Sequence, residues 1–169
     1  MNIKNSVILK FVAIALLPVI AILWPVAVNS FVLVFGEQVM LRTRPVDPRD
    51  FLRGDYVRLN YDISNISDIS DMSNTGERGD IVYVTLKKDG RGVTEMSGVS
   101  FTPPQSGLWI EGVLGYGGAV DYGISVYYVP EGTGWELEEA IKYSSVLADV
   151  RIWRGKAVIS ELQKDTPEP

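Results

Sequence analysis

The chain contains no cysteine and no histidine. Disulfide support, thiolate nucleophiles, Cys/His zinc sites, c-type haem attachment and Ser-His-Asp triads are therefore excluded. Chemistry available to it is limited to carboxylates, Ser or Thr with Lys, Tyr and Arg. Acidic residues are also missing from the whole N-terminal portion: all 21 Asp and Glu, but only 14 of the 16 Lys and Arg, follow Gly36. That excess of negative charge makes nucleic acid an unexpected partner. At 169 residues, 46% of them apolar, the chain has room for one ordinary domain once a membrane segment is subtracted.

What is present at the start is a long uncharged run, 26 residues from Phe11 to Gly36. About 20 helical residues cross a hydrocarbon core of about 30 Å, so this run predicts a transmembrane helix. Pro18 and Pro25 are compatible with it, because membrane helices tolerate proline. Asn29, Ser30 and the β-branched residues after them place the expected helix end near that point, and Trp24 fits interfacial depth. A cleaved signal peptide with Lys4 and Lys10 as its basic region is the alternative, but Ala27-Val28-Asn29 matches a cleavage site poorly. The short basic tail favours a cytoplasmic N-terminus with residues 37–169 exported, although Arg42, Arg44, Arg49 and Arg53 follow the span. The expected organisation is a tail and anchor over 1–36, an extracytoplasmic domain over 37–163 and a disordered tail over 164–169.

Beyond the anchor, apolar and polar residues alternate in eight short segments: 38–43, 55–61, 81–87, 93–101, 108–114, 124–129, 147–153 and 157–162. The fold expected is mainly β, a curled sheet or barrel. Lys88-Asp89-Gly90-Arg91 and Arg154-Gly155-Lys156 read as hairpin loops, and Thr102-Pro103-Pro104 ends a strand. One short helix is expected from the capping-box pattern Thr133-Gly134-Trp135-Glu136, with Leu137 and Ile141 on one face. Residues 63–74 repeat an apolar-Ser-Asn/Asp triplet, which predicts a short or 3₁₀-like helical stretch. Asp68 and Asp71 in it do not form a calcium loop. No metal or cofactor is expected.

The densest charged chemistry runs from Leu41 to Tyr61, where every base is Arg and every acid is Asp. Arg-Asp pairing can pin a Pro-rich loop against the next strand; alternatively, the Arg forks can clamp an anionic group such as a lipid phosphate or a partner's carboxylate. Arg53-Gly54-Asp55 is echoed by Arg78-Gly79-Asp80, each reading as a tight turn that enters a strand. An N-terminal anchor and Arg-Gly-Asp before a strand also resemble signal peptidases. Val46-Asp47-Pro48-Arg49 stands where that family's serine nucleophile would lie, leaving only Ser70 or Ser73 with Lys87 or Lys88 as a substitute pair.

Gly54-Asp55-Tyr56-Val57-Arg58-Leu59-Asn60-Tyr61 matches, residue for residue, the motif of the GDYXXLXY family of bacterial membrane-anchored proteins, which the chain therefore resembles. The resemblance extends to Pro45-Val46-Asp47-Pro48-Arg49-Asp50 before the motif. After it come Tyr122-Gly123-Ile124, Tyr128 to Gly134 and Leu137-Glu138. It implies an inner-membrane envelope protein, often encoded beside multi-spanning membrane proteins, and supplies no catalytic residue. The residues expected to form a binding or structural motif are Asp47, Pro48, Arg49, Arg53, Gly54, Asp55, Tyr56, Leu59 and Tyr61. Glu131 joins them if it faces the Arg49/Arg53 loop. The expected function is a non-enzymatic accessory or binding subunit for a membrane-protein partner or anionic ligand. The alternative is a signal-peptidase-like or carboxylate-dependent hydrolase.

Overall fold

The computed structural model describes residues 3–44, 56–66, 76–128 and 146–164. Its first element, α1, runs Ile3–Phe35 with Pro18 and Pro25 inside it. It therefore continues past Asn29 and Ser30, where the local sequence predicts an end. Tertiary packing overrides local propensity there: Val32 is buried, and the Phe31 ring meets Trp153 edge-on at 4.8 Å and Phe35 at 4.5 Å. The stretch Lys10–Phe35 is long and apolar enough to cross a membrane, with none of its best window buried within the protein. It is a candidate membrane anchor.

A single residue, Gly36, separates α1 from β1 (Glu37–Arg44). Its N–H donates to the Val32 carbonyl at 2.8 Å, so the last helical hydrogen bond ends where the strand begins. A Cβ on Gly36 would overlap that carbonyl and lie 3.0 Å from the Ile152 amide nitrogen and 3.1 Å from the Arg151 Cβ. Glycine is thus required by close approach rather than by flexibility.

The strands form the expected curled, half-barrel β architecture. β1 is central in an antiparallel sheet ordered β10-β9-β1-β3, with β3 at Asn60–Tyr61, β9 at Val146–Trp153 and β10 at Lys156–Lys164. β2 (Tyr56–Arg58) pairs with β8 (Val126–Tyr128) as a two-stranded ribbon. A second four-stranded sheet, ordered β5-β4-β6-β7, comprises β4 (Ile81–Lys88), β5 (Thr94–Ser100), β6 (Trp109–Leu114) and β7 (Val120–Asp121). Bridges Met40–Val93, Ile110–Gly155 and Asn65–Ala119 join these pieces. Alternating residues from each fill one core: Val39 and Leu41, Val57 and Leu59, Val82 and Val84, Ile110 and Leu114, Val146 and Val150.

Sequence reading and structure differ at three further places. The segment 55–61 is not one strand: the Leu59 N–H donates to Ser125 at 2.9 Å, and the chain changes partners from β8 to β1 across it. β7 was not anticipated, since two residues carry no periodic signal. Lys164 belongs to β10 rather than to a tail. Both hairpin loops form as expected. Arg154 and Gly155 adopt φ of 48° and 79°, the left-handed pair of a tight hairpin, and the Asp89 carboxylate accepts from the amides of Arg91 and Val93 at 2.8 and 2.9 Å. Desolvation raises the Asp89 pKa, but those amides and the Arg91 guanidinium together lower it by more, leaving it below the usual carboxylate value. The expected helix from Thr133 lies outside the described residues, as do Ser67–Asn74 of the triplet repeat; a 3₁₀ turn covers Asp62–Ser64.

The strand directions give the β structure two ends. β9 returns to Trp153 beside the start of β1, and Lys88 at the end of β4 pairs with Glu37 at 3.4 Å, so both hairpin turns lie near α1. β3 pairs with Thr43 and Arg44, about 23 Å along β1 at the usual rise per residue. Replacing Gly36 with Ala is expected to destabilise the protein by about 1–3 kcal/mol through overpacking. Thermal unfolding of the full chain in detergent checks this, and an unchanged midpoint would show that the joint yields.

Candidate functional site

Of the motif residues, Tyr56, Leu59 and Tyr61 are described; Asp47, Pro48, Arg49, Arg53, Gly54, Asp55 and Glu131 lie outside the described residues, as do Ser70 and Ser73. The described half alternates cleanly. Val57, Leu59 and Tyr61 point into the core, while Arg58 and Asn60 are exposed. The Tyr56 ring is half-buried, 6.2 Å from that of Tyr128.

Tyr61 closes the motif by reaching across the core. Its hydroxyl donates to the Ile124 carbonyl at 2.7 Å, and the Tyr122 hydroxyl donates to the Ile63 carbonyl at 2.5 Å. The two bonds are reciprocal: each tyrosine of a Tyr-x-Ile triplet, 61–63 or 122–124, holds the isoleucine carbonyl of the other. Around them, the Ile66 N–H donates to Gly118 and the Leu59 N–H to Ser125, both at 2.9 Å. Residues 56–66 and 118–128 are thereby cross-braced into one piece. Burial pushes the pKa of both phenols well above the ordinary tyrosine value. They serve as fixed donors, and neither is available as a base near neutral pH.

Sequence reading placed Tyr122 in a segment shared with the family, but did not pair it with Tyr61. The repeated Tyr-x-Ile was the available signal. Sequence reading also passed over Asp149, which is buried on β9 and accepts from Gln38 Nε2 at 2.5 Å.

Beside the brace lies an open groove of about 220 Å³ lined by Asn60, Tyr61, Ser64, Asp121, Tyr122 and Ser125, among others. It is smaller than the roughly 300–1,000 Å³ usual for small-molecule sites. Its carboxylate, Asp121, accepts from the Gly123 amide at 2.9 Å. Among the described residues no group of three or more acidic side chains is placed to hold a metal ion.

Outside the groove, the far ends of β4 and β6 carry Arg78 and Tyr116. The guanidinium lies 4.5 Å over the ring, and its Nη1 donates to the hydroxyl at 2.9 Å. Tyr116 is 76% and Tyr128 78% exposed, and the paired residues Ile81 and Val113 are about half exposed. Arg78-Gly79-Asp80 is the tight turn expected: Gly79 has φ of 100°, and Asp80 Oδ2 accepts from the Glu77 amide at 2.8 Å. Its sequence twin, Arg53-Gly54-Asp55, is outside the described residues. Arg44 pairs with Asp62 at 2.7 Å, beyond the motif rather than within it.

A family model described as GDYXXLXY protein matches residues 18–162, which include the motif, both Tyr-x-Ile triplets and most of α1. No curated protein and no solved structure matches the chain.

Tyr61→Phe and Tyr122→Phe each remove a donor from a buried carbonyl, for an expected cost of about 1–3 kcal/mol. Because the two bonds brace the same pair of segments, the double variant is expected to depart from additivity. The unfolded chain releases both phenolic protons near pH 10 whereas the folded chain retains them, so stability falls as pH rises above about 10. Urea unfolding at pH 8 and pH 11 checks this: the wild type loses stability between the two, and the double Phe variant loses less.

Proposed function

The chain belongs to the GDYXXLXY family, and on that premise we propose that it is a membrane-anchored accessory subunit of the bacterial envelope. On this reading α1 fixes it in the inner membrane with the short basic tail in the cytoplasm and the β domain outside. The domain's far end docks a multi-spanning membrane-protein partner.

The observation that carries the reading is the reciprocal tyrosine brace. It makes the motif strand and residues 118–128 a rigid platform, with the exposed Tyr128 on one segment and the Arg78–Tyr116 pair beside it. Tyr and Arg are the side chains most often found to anchor protein interfaces, because they offer large contact area with few rotors to freeze.

One feature favours a protein over a lipid headgroup as the occupant. Asn60 of the motif pairs with Arg44, about 23 Å along β1 from the helix end and well beyond a screening length of about 8–10 Å in physiological salt. Catalysis is the weaker reading, since hydrolysis needs at least two groups converging on a reacting atom. The described lining offers Asp121, already engaged by a backbone amide, and two phenols that burial keeps protonated.

The test is a mild-detergent pull-down with full-length wild type, Tyr128→Ala and Arg78→Glu, each checked for folding by circular dichroism. Loss of one membrane partner from folded variants is expected, with a weakening of about 30-fold if either residue is an interface anchor worth 2 kcal/mol. Retention of every partner by both folded variants would sink the reading.

A further inference from the structure

The end of the domain nearest α1 has a different chemistry from the rest. The chain beyond Gly36 is acidic overall, yet the two turns at this end carry Lys87, Lys88, Arg91, Arg154 and Lys156. Lys88 is paired with Glu37 and Arg91 with Asp89. Among the described residues, Arg154 and Lys156 meet no carboxylate. Arg154 is also the only non-glycine described residue with positive φ, and its guanidinium lies 4.8 Å over the Trp153 ring.

That ring continues the contact into the helix. Trp153 meets Phe31 at 4.8 Å, and Phe31 meets Phe35 at 4.5 Å. A stack Arg154–Trp153–Phe31–Phe35 therefore runs from a cationic hairpin to the end of the apolar helix, where Val34 and Phe35 are exposed. The 26 residues from Lys10 to Phe35 rise about 39 Å, roughly 9 Å more than a hydrocarbon core of about 30 Å. A helix of that length carries its last turn into the headgroup layer, the depth that Trp and Arg favour.

We propose that the β9–β10 turn is a seat for anionic phospholipid. Arg154 and Lys156 bind the phosphate and headgroup charge, Trp153 lies at the acyl–headgroup boundary, and the contact holds the domain's base against the bilayer. The proposal rests on α1 being membrane-inserted and is independent of the far-end partner.

Full-length protein is reconstituted in two sets of mixed phosphatidylcholine–phosphatidylglycerol vesicles, identical except that the brominated acyl chains are carried by the zwitterionic lipid in one and by the anionic lipid in the other. Trp153 emission is isolated by difference from Trp153→Phe. The expected result is stronger quenching by the brominated anionic lipid, with a preference of about fivefold for each basic side chain at the surface. Arg154→Gln with Lys156→Gln is expected to bring the preference towards one. Equal quenching by the two lipids in wild type, a preference that survives the double substitution, or no quenching of Trp153 overturns the proposal. Alkaline carbonate extraction of the same vesicles separates this failure from failure of the anchor. Protein retained in the membrane without a lipid preference has lost only the seat, whereas protein extracted from it has lost both.

Discussion

Everything else in this protein depends on the one-residue joint between α1 and β1. Gly36 ends the helix and starts the central strand in the same hydrogen-bonding step, and there is no space at it for a Cβ. Val32 is buried against the sheet and Phe31 against Trp153, so the last turn of the helix is part of the domain's packing. A linker of several residues would leave helix and sheet free to reorient. Here the rise of β1 fixes which residues lie near the helix end and which lie far from it.

At the far end the reciprocal tyrosine bonds explain half of the motif. Alternation alone would bury positions 57, 59 and 61; it does not say why the last should carry a hydroxyl. The hydroxyl matters because the motif changes partners at Leu59, and a strand that leaves one ladder for another loses regular pairing at the switch. Phenolic donors to Ile124 and Ile63 satisfy carbonyls in the irregular segments on either side. Leu59 and Tyr61 act through burial and bracing, while Arg58 and Asn60 beside them face solvent.

Much of this was legible in the sequence, for identifiable reasons. Segments such as 81–87 and 147–153 alternate because one face is core and the other is solvent or lightly covered, and the strands appeared where that period did. Turn chemistry was equally readable, since Asp89 and Gly155 do locally what Asp and Gly do in any turn. The break at Leu59 was hidden because inward periodicity runs unchanged through it while the partner changes. The extension of α1 to Phe35 was hidden because it depends on Trp153, more than a hundred residues away. The brace was nearly invisible for the same reason, joining side chain to main chain across about 60 residues with only the repeated Tyr-x-Ile as a trace. Of the candidate site, sequence reading weighted the charged residues, most of which lie outside the described residues, whereas the described half is held in place by its apolar and aromatic positions.

On the proposed role as an accessory subunit, rigidity also bears on how small a docking surface can suffice. Association in free solution costs an estimated 4–15 kcal/mol in translational and rotational freedom, which a few exposed side chains rarely offset. A subunit held in the same membrane as its partner has surrendered part of that freedom before they meet, and one whose domain cannot swing on its anchor has surrendered more. The exposed aromatic and Arg positions at the far end form a modest patch, and on a freely tumbling domain they would support only weak binding. Set at a fixed height above the helix end by β1, and in a fixed direction by the Gly36 joint, the same patch needs to contribute much less. The joint and the brace are in this sense one device: the first fixes where the far end is, and the second fixes what shape it has when it gets there.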